Sequence, residues 1–260
     1  IVHNYDVPVL LSSAYRRAVS RAGQKDVAAS GIDLTIQLIL PYIDGVRYVR
    51  AISEDANADD AFVRKALRSM FHYNLVGFVD IFQYSNMYVA TDRIRVLVTS
   101  AKLREECVRC CYPETAAMAS ANRIDLVAKS RRRGYFQRIF KALCGFGCGT
   151  RVVDLIRRRP NLAKGSFDVR RFIAFGVLHG FLQRVHEYPI APEDLRKSCI
   201  EEANRIQDTI KASVVSLFDG KHPIDSICVS SGVSRSYVTA LTQALGGACS
   251  VYRKPRKRKQ

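Results

Sequence analysis

The chain has 260 residues, enough for about one to three domains, and needs neither a disulfide nor a metal to bury a core. Its 41 lysines and arginines against 24 aspartates and glutamates give a formal net charge of +17. A field of that sign favours an acidic partner: nucleic acid, an anionic membrane or an acidic protein face. No stretch is long and apolar enough to predict a transmembrane segment, and no secretory signal is recognisable, so we expect reduced thiols at the eight cysteines.

In chain order, we expect an extended connector over residues 1–31 and a first winged helix over residues 32–97. Helical spacing predicts three amphipathic helices there. The second places Val46, Val49 and Ile52 on one face. The third is capped by Asn57 and buries Val63, Leu67 and Met70.

Residues 75–91 alternate apolar with polar side chains, and a two-residue turn at Ser85–Asn86 predicts a β-hairpin. Three helices followed by a hairpin is the order typical of a winged helix. The same order repeats more loosely later in the chain. We therefore predict a helical basic linker over 98–133 and a second winged helix over 134–195.

A C-terminal helix-turn-helix unit is predicted over residues 196–252, followed by a disordered basic tail over 253–260. It opens with one long amphipathic helix over residues 199–218. The tail is typical of a solvated end, and could also act as a nuclear signal or a phosphate-seeking arm. The predicted fold class is thus mainly α with small β wings, built from tandem winged-helix or helix-turn-helix units.

The stretch "ICVSSGVSRSYVTAL", residues 227–241, has the pattern of a DNA-reading helix-turn-helix. Gly232 makes the turn and Ser234 caps the second helix, while the core-facing positions are Ile227, Val233, Val238 and Leu241. The outward residues that could contact bases are Arg235, Ser236, Thr239 and Gln243. One arginine and one glutamine are a small set for reading bases, so the pattern alone leaves nucleic-acid and protein partners both open.

No active site is recognisable in the chain. "CVRCC" and "CGFGC" superficially resemble split zinc-ligand pairs, but Cys107, Cys110 and Cys111 fall in a predicted helix, where free cysteine packs as a small apolar residue. "GFGCGT" lacks the lysine and hydroxyl that end a phosphate-binding loop. We therefore assign no catalytic residue, no cofactor and no metal ligand, and keep a zinc-stabilised module as an alternative.

Several segments resemble the C-terminal half of the nitrogen permease regulator 2-like protein family. "LPYIDGVRYV" and "QYSNMY" carry the resemblance most specifically; further segments are "IVHNYDVPV", "GTRVVDLIRRRP", "RRFIAFGVLHGFLQRVHEYP" and "IDSICVSSGVSRSYV". The resemblance fades over residues 10–31 and 98–133 and ends at Tyr252.

The resemblance implies a subunit of GATOR complex 1, paired with a nitrogen permease regulator 3-like protein and joined by a DEP domain-containing subunit. That complex activates GTP hydrolysis by Rag GTPases at the lysosomal or vacuolar surface and inhibits TOR signalling during amino-acid starvation. In the family, the arginine that enters the GTPase site belongs to an N-terminal longin domain. Because this chain begins with Ile rather than Met, we expect it to start after that domain.

We therefore interpret the chain as the non-catalytic scaffold and heterodimerisation portion of such a subunit, cytoplasmic and peripheral on the lysosomal or vacuolar membrane. Tyr42, Val46 and Tyr84 are the predicted partner-binding residues, because they are apolar positions that we expect to be exposed without the partner. The alternative is a nucleic-acid-binding winged-helix protein that uses the outward face of the helix-turn-helix. We expect protein partners rather than nucleic acid.

Overall fold

The computed structural model describes residues 2–11, 33–112, 126–147, 149–160, 162, 166–245 and 249–256. Its helices are α1 Leu34–Ile39, α2 Val49–Asp55, α3 Asp60–His72, α4 Arg95–Thr99, α5 Ala101–Cys111, α6 Leu126–Leu143, α7 Val152–Arg158, α8 Val169–Leu178, α9 Glu193–Arg205, α10 Thr209–Ser216, α11 Ile224–Ser231 and α12 Arg235–Ala244. Its strands are β1 Asp6–Leu10, β2 Val76–Asp80, β3 Met87–Ala90, β4 Leu182–Ile190 and β5 Ser250–Pro255. The predicted fold class, mainly α with small β elements, is confirmed.

The strands form two small sheets. β1 pairs antiparallel with β2, with Pro8 opposite Phe78. β3 pairs antiparallel with β4, with Tyr88 opposite Arg184, and β5 lies on the other side of β4. The predicted hairpin over residues 75–91 is therefore wrong: both halves are strands, but they belong to different sheets. Alternation of apolar and polar residues identifies a strand, whereas the strand that it pairs with is determined by contacts between residues distant in sequence.

The chain divides into two compact units that do not follow its linear order. Unit 1 comprises residues 1–81 and 186–254, and unit 2 comprises residues 82–185 and 255–260. In unit 1, part of the predicted N-terminal connector forms strand β1, while the prediction for residues 12–31 lies outside the described residues. β5 continues through Arg253–Pro255, which were predicted to belong to the disordered tail.

The first core of unit 1 surrounds helix α3. Its predicted stripe, Val63, Leu67 and Met70, is fully buried together with residues of α1 and α2, as the helical spacing predicted. The N-cap is Asp59, whose Oδ1 accepts from the Ala61 N–H at 2.7 Å. The predicted cap, Asn57, instead lies in a turn with φ 48°.

Two predicted helices have different bounds. α2 begins only at Val49, because Asp44 Oδ1 accepts from the Val46 N–H at 2.7 Å and holds the preceding residues in a turn. Val46 therefore does not share a helical face with Val49 and Ile52. The predicted long helix over 199–218 is two helices: α9 ends at Arg205, before Ile206, which is 64% exposed, and α10 begins at Thr209. Gln207 adopts φ 56°, and Asp208 caps α10 by accepting from the Lys211 N–H at 2.8 Å.

The helix-turn-helix over α11 and α12 forms as predicted. Ile227 and Val238 are fully buried, and Val233 and Leu241 pack against the same core. Gly232 ends α11 with φ 67°, a left-handed conformation that favours glycine, and Ser234 Oγ accepts from the Tyr237 N–H at 3.2 Å.

Unit 2 is organised around helices α5 and α8. The predicted helix through Cys107 and Cys111 is confirmed, and both thiols are buried. α8 begins with the predicted cap Asp168, which accepts from the Arg171 N–H at 3.0 Å. The buried Arg184 donates to Asn86 Oδ1 at 2.6 Å and to the Val185 carbonyl at 3.1 Å, which secures β4 beside β3.

Two helical glycines differ in the room around them. A Cβ at Gly176 would lie 2.6 Å from Leu182 Cδ1 and 2.8 Å from its Cγ, whereas one at Gly134 would meet nothing within 4 Å. We expect Gly176→Ala to lower the free energy of unfolding by about 1–3 kcal/mol through overpacking. The matched variant Gly134→Ala should raise it by roughly 0.5–1 kcal/mol, because alanine favours the helix. Chemical denaturation measures both, and equal effects would contradict the close packing of α8 on β4.

Candidate functional site

The first residue of α12, Arg235, is enclosed by two carboxylates of unit 1. Its guanidinium donates to Asp225 Oδ1 at 3.2 Å and to Glu187 Oε2. The Arg235 side chain is 15% exposed and that of Glu187 13%, so the pairs lie largely out of solvent. Glu187 Oε1 also accepts from Arg253 Nε at 3.2 Å. We call Asp225, Glu187, Arg235 and Arg253 the charged cluster.

A buried histidine lies next to the charged cluster. His186 Nδ1 is 3.6 Å from Asp225 Oδ2, and its Nε2 is 3.4 Å from Asp80 Oδ1. The ring faces Tyr5 edge-on, with the two centroids 6.2 Å apart. Tyr5, just before β1, Asp80 of β2 and Asp225 of α11 therefore meet around the imidazole of β4, so Asp225 contacts the interior of unit 1 as well as Arg235.

A second arginine secures the far end of α11. Arg50 of α2 donates to the Val229 carbonyl at 2.6 Å and to the Ser230 carbonyl at 3.3 Å. These carbonyls belong to the last turn of α11, where no further helical N–H groups can satisfy them. Arg50 also pairs with Glu54 at 2.9 Å. The C-terminal end of α11 is thus attached to α2 through Arg50, while Asp225 at its N-terminal end contacts His186 of β4 and Arg235 of α12.

The other predicted base-contacting residues remain on the surface of α12. Ser236 Oγ lies 2.8 Å from Ser234 Oγ, and the Thr239 hydroxyl donates to the Arg235 carbonyl at 2.9 Å. Gln243 is exposed. Of the four residues predicted to contact bases, Arg235 is therefore not available to do so, because Asp225 and Glu187 bind its guanidinium inside unit 1. Glu187 and Asp225, which bind it, were missed: neither has a sequence signal beyond the position of Asp225 in the first turn of α11.

The predicted partner-binding residues occur in both units. Tyr42 and Val46 are in unit 1, and Tyr84 is in unit 2. Tyr42 is half-buried, and Arg47 lies over its ring at 5.7 Å from the centroid. Val46 is 49% exposed and Tyr84 is 54% exposed. All three remain candidate contacts.

Tyr84 lines an open groove of about 620 Å³ within unit 2, together with residues before and at the start of α8. Phe82 packs edge-on against Tyr84 with centroids 5.2 Å apart, and Arg170 lies over the Phe82 ring at 5.6 Å. Phe167 also lines the groove. The groove therefore combines exposed aromatic surface with one cation, a composition typical of protein contact sites.

The described cysteines of α5 are packed side by side. Among the described residues, no group of three or more histidine, cysteine, aspartate or glutamate side chains is placed to hold a metal ion. The Cys111 pKa is raised by its hydrogen bond with Cys107 and by burial. Burial also raises the Cys110 pKa to about 11. A raised pKa is the opposite of the shift typical of a reactive thiol, and the fully buried Cys107 and Cys111 pack in the interior of unit 2.

No helix within the described ranges is long and apolar enough to cross a membrane.

Comparison with known proteins identifies the family. The family model for nitrogen permease regulator 2 matches residues 7–245, which is most of the chain. The chain belongs to the nitrogen permease regulator 2 family. The match begins within β1 and ends at the residue after α12, so it includes every residue predicted to contact a partner or a base but excludes β5.

Individual relatives agree with this assignment. The nitrogen permease regulator 2 homolog of Schizosaccharomyces pombe is 31% identical over 221 residues, which is 85% of this chain and 49% of the relative. The GATOR complex protein NPRL2 of Drosophila melanogaster is 26% identical over 233 residues, 90% of this chain and 47% of that protein. The chain therefore spans about half the length of these two relatives.

Removing the central arginine of the charged cluster tests its structural role. We expect Arg235→Met to lower the free energy of unfolding by roughly 3 kcal/mol, because two largely buried carboxylates lose their partner. Adding Glu187→Gln to Arg235→Met should recover part of that loss. The exposed Arg68 of α3 offers a matched control, and Arg68→Met should change stability by no more than about 0.5 kcal/mol. Denaturant titration of the four proteins measures these differences, and equal losses for the two single variants would refute the role.

The half-buried thiol of Cys228 in α11 provides a pH-dependent probe of the same region. Burial and the nearby Asp225 carboxylate raise its pKa to about 11, although the Arg235 cation opposes them. Because the thiolate is the nucleophile, alkylation of Cys228 should be slow at pH 8 and accelerate about tenfold per pH unit up to about 11. Site-resolved mass spectrometry after iodoacetamide treatment measures this, with the exposed Cys144 as the internal reference. Rapid modification of Cys228 at pH 8 would contradict the geometry.

Proposed function

We propose that this chain is the non-catalytic scaffold and heterodimerisation portion of a nitrogen permease regulator 2-like subunit of GATOR complex 1. The observation that carries the proposal is membership of the family over residues 7–245. The Drosophila relative is a GATOR complex protein by name, which supports assembly into that complex. The partners we propose are a nitrogen permease regulator 3-like protein, a DEP domain-containing subunit and, through the complex, Rag GTPases.

In this proposal the complex activates GTP hydrolysis by Rag GTPases and thereby restrains TOR signalling during amino-acid starvation. An arginine that stabilises charge on the transferring phosphoryl group must enter the GTPase site. We assign that arginine to a longin domain elsewhere in the full subunit, since none of the described arginines lies in a recognisable catalytic arrangement. The complex is proposed to act at the cytoplasmic face of the lysosome or vacuole.

The charge of the helix-turn-helix supports a protein-binding role. Residues 224–245 contain one acidic and one basic side chain, Asp225 and Arg235, and these pair with each other. Binding to duplex DNA depends on cations that neutralise phosphates, and most of the affinity comes from them. The helix that would enter the major groove therefore offers no cation of its own to the backbone, and no observation favours the nucleic-acid alternative.

The tandem winged-helix organisation forms part of the proposal. In the predicted second unit, over residues 134–195, the helices α6, which begins at Leu126, α7 and α8 precede the single strand β4; this order supports the three-helix part of a winged helix. Over residues 32–97 three helices are present, without the predicted hairpin. Because a fold does not determine its function, a winged helix can bind other protein subunits as well as nucleic acid.

Co-expression with the nitrogen permease regulator 3-like subunit of the same organism tests the proposal. We expect the affinity-tagged chain to capture that subunit, and Val46→Asp and Tyr84→Ala to weaken capture by about tenfold or more by removing exposed apolar contacts. Val98, which is 56% exposed, provides a matched control, and Val98→Asp should bind normally. The chain alone should not accelerate GTP hydrolysis by Rag GTPases.

Two outcomes would contradict different parts of the proposal. Failure to capture the subunit would oppose heterodimerisation itself, whereas normal capture by both Val46→Asp and Tyr84→Ala would oppose only the predicted contact residues. Sequence-specific duplex binding that disappears in Gln243→Ala would support the nucleic-acid alternative instead. Such binding should also weaken steeply with salt.

A further inference from the structure

Strand β5 forms an exposed edge of the sheet that contains β3, β4 and β5. Each of its residues, Ser250–Pro255, is exposed, and β4 is its neighbour in the sheet. The other outer strand, β3, is covered: Met87 forms a bridge with Arg151, and the Ala90 N–H donates to the Phe146 carbonyl at 3.1 Å. In the described part of the chain, no strand lies beyond β5.

The direction of the backbone groups on β5 follows from one hydrogen bond. The Arg256 N–H donates to the Arg184 carbonyl of β4 at 2.7 Å. Because the peptide groups of a strand alternate in direction, residues 252 and 254 also face β4, while Val251 and Arg253 direct their N–H and C=O groups away from it. An edge with this pattern is a template for one more strand.

The charge of β5 selects the kind of strand that it can bind. Arg253 and Lys254 lie on it, and the last eight residues of the chain include six lysines or arginines. Glu187 engages Arg253 and thereby holds β5 against β4. A second copy of this strand would place like charges opposite each other, which is destabilising. An acidic strand would have the complementary charge.

We propose that β5 binds an extended acidic segment of a partner protein as an additional strand of this sheet. Main-chain hydrogen bonds to Val251 and Arg253 provide the pairing, and Lys254 attracts the acidic side chains. Tyr252, which is 55% exposed, offers an apolar contact on the same face as Lys254. Since the match to the nitrogen permease regulator 2 family ends at residue 245, this site is independent of the proposed function.

Titration of the whole chain with a short blocked peptide that alternates glutamate with valine tests the proposal. We expect Val251→Pro to weaken binding by about tenfold or more, because proline removes an outward N–H while the groups that face β4 remain. Val251→Thr keeps the N–H and the branched shape and should bind like the unmodified chain. Lys254→Glu should also weaken binding, and its effect should diminish at high salt.

A peptide of the same sequence with N-methyl groups on alternate amides separates strand pairing from simple charge attraction without altering the protein. Much weaker binding of the methylated peptide supports the proposal even if Val251→Pro unfolds β5. Equal binding of both peptides would overturn it. The proposal would also be overturned if the chain associates with itself through β5, or if it binds an oligonucleotide but not the peptide. In either case the strand would bind something other than an acidic segment of a partner protein.

Discussion

The ion pairs of Arg235 with Asp225 and Glu187 are the constraint on which the organisation of unit 1 depends. They join the beginning of α12 to α11 and to β4, and Glu187 extends the same contact to β5 through Arg253. Largely buried carboxylates are costly unless a cation and hydrogen bonds compensate them. The arginine that a DNA-binding reading would direct at bases is therefore required inside the protein, which explains why a helix-turn-helix pattern here need not indicate nucleic-acid recognition.

Local interactions were the part of this fold that could be predicted. The caps Asp168 and Ser234 and the left-handed Gly232 each depend on residues within a few positions along the chain. The strands over 76–80 and 87–90 were recognisable from alternation, but their partners were not, because several helices lie between each strand and its partner along the chain. The break at Gln207 was missed since the spacing of apolar residues continues across it.

The candidate site could be predicted only in part for the same reason. The sequence identified α12, and Ser236, Thr239 and Gln243 are on its surface as predicted, but Arg235 is not. Val46 and Tyr84 are exposed as expected. The partners of Arg235 lie 10 and 48 residues away, and sequence spacing does not specify such contacts. Tyr42, which was predicted to be exposed, is half-buried because Arg47 lies over its ring and the core around α3 packs against it. The residue type alone does not reveal such packing.

The positive charge of the chain is thus distributed over surfaces with different roles. The helix-turn-helix is neutral, Arg50 and Arg235 stabilise the interior of unit 1, and the excess is concentrated elsewhere, including the residues that follow Tyr252. The family match ends before β5, yet β5 is held to β4 through Glu187, the residue that also binds Arg235. The Glu187 carboxylate therefore links α12, which lies within the family match, to the basic strand β5, which lies outside it. Because Glu187 binds both arginines, the position of β5 depends on the helix-turn-helix, which lies within the residues that the family model matches.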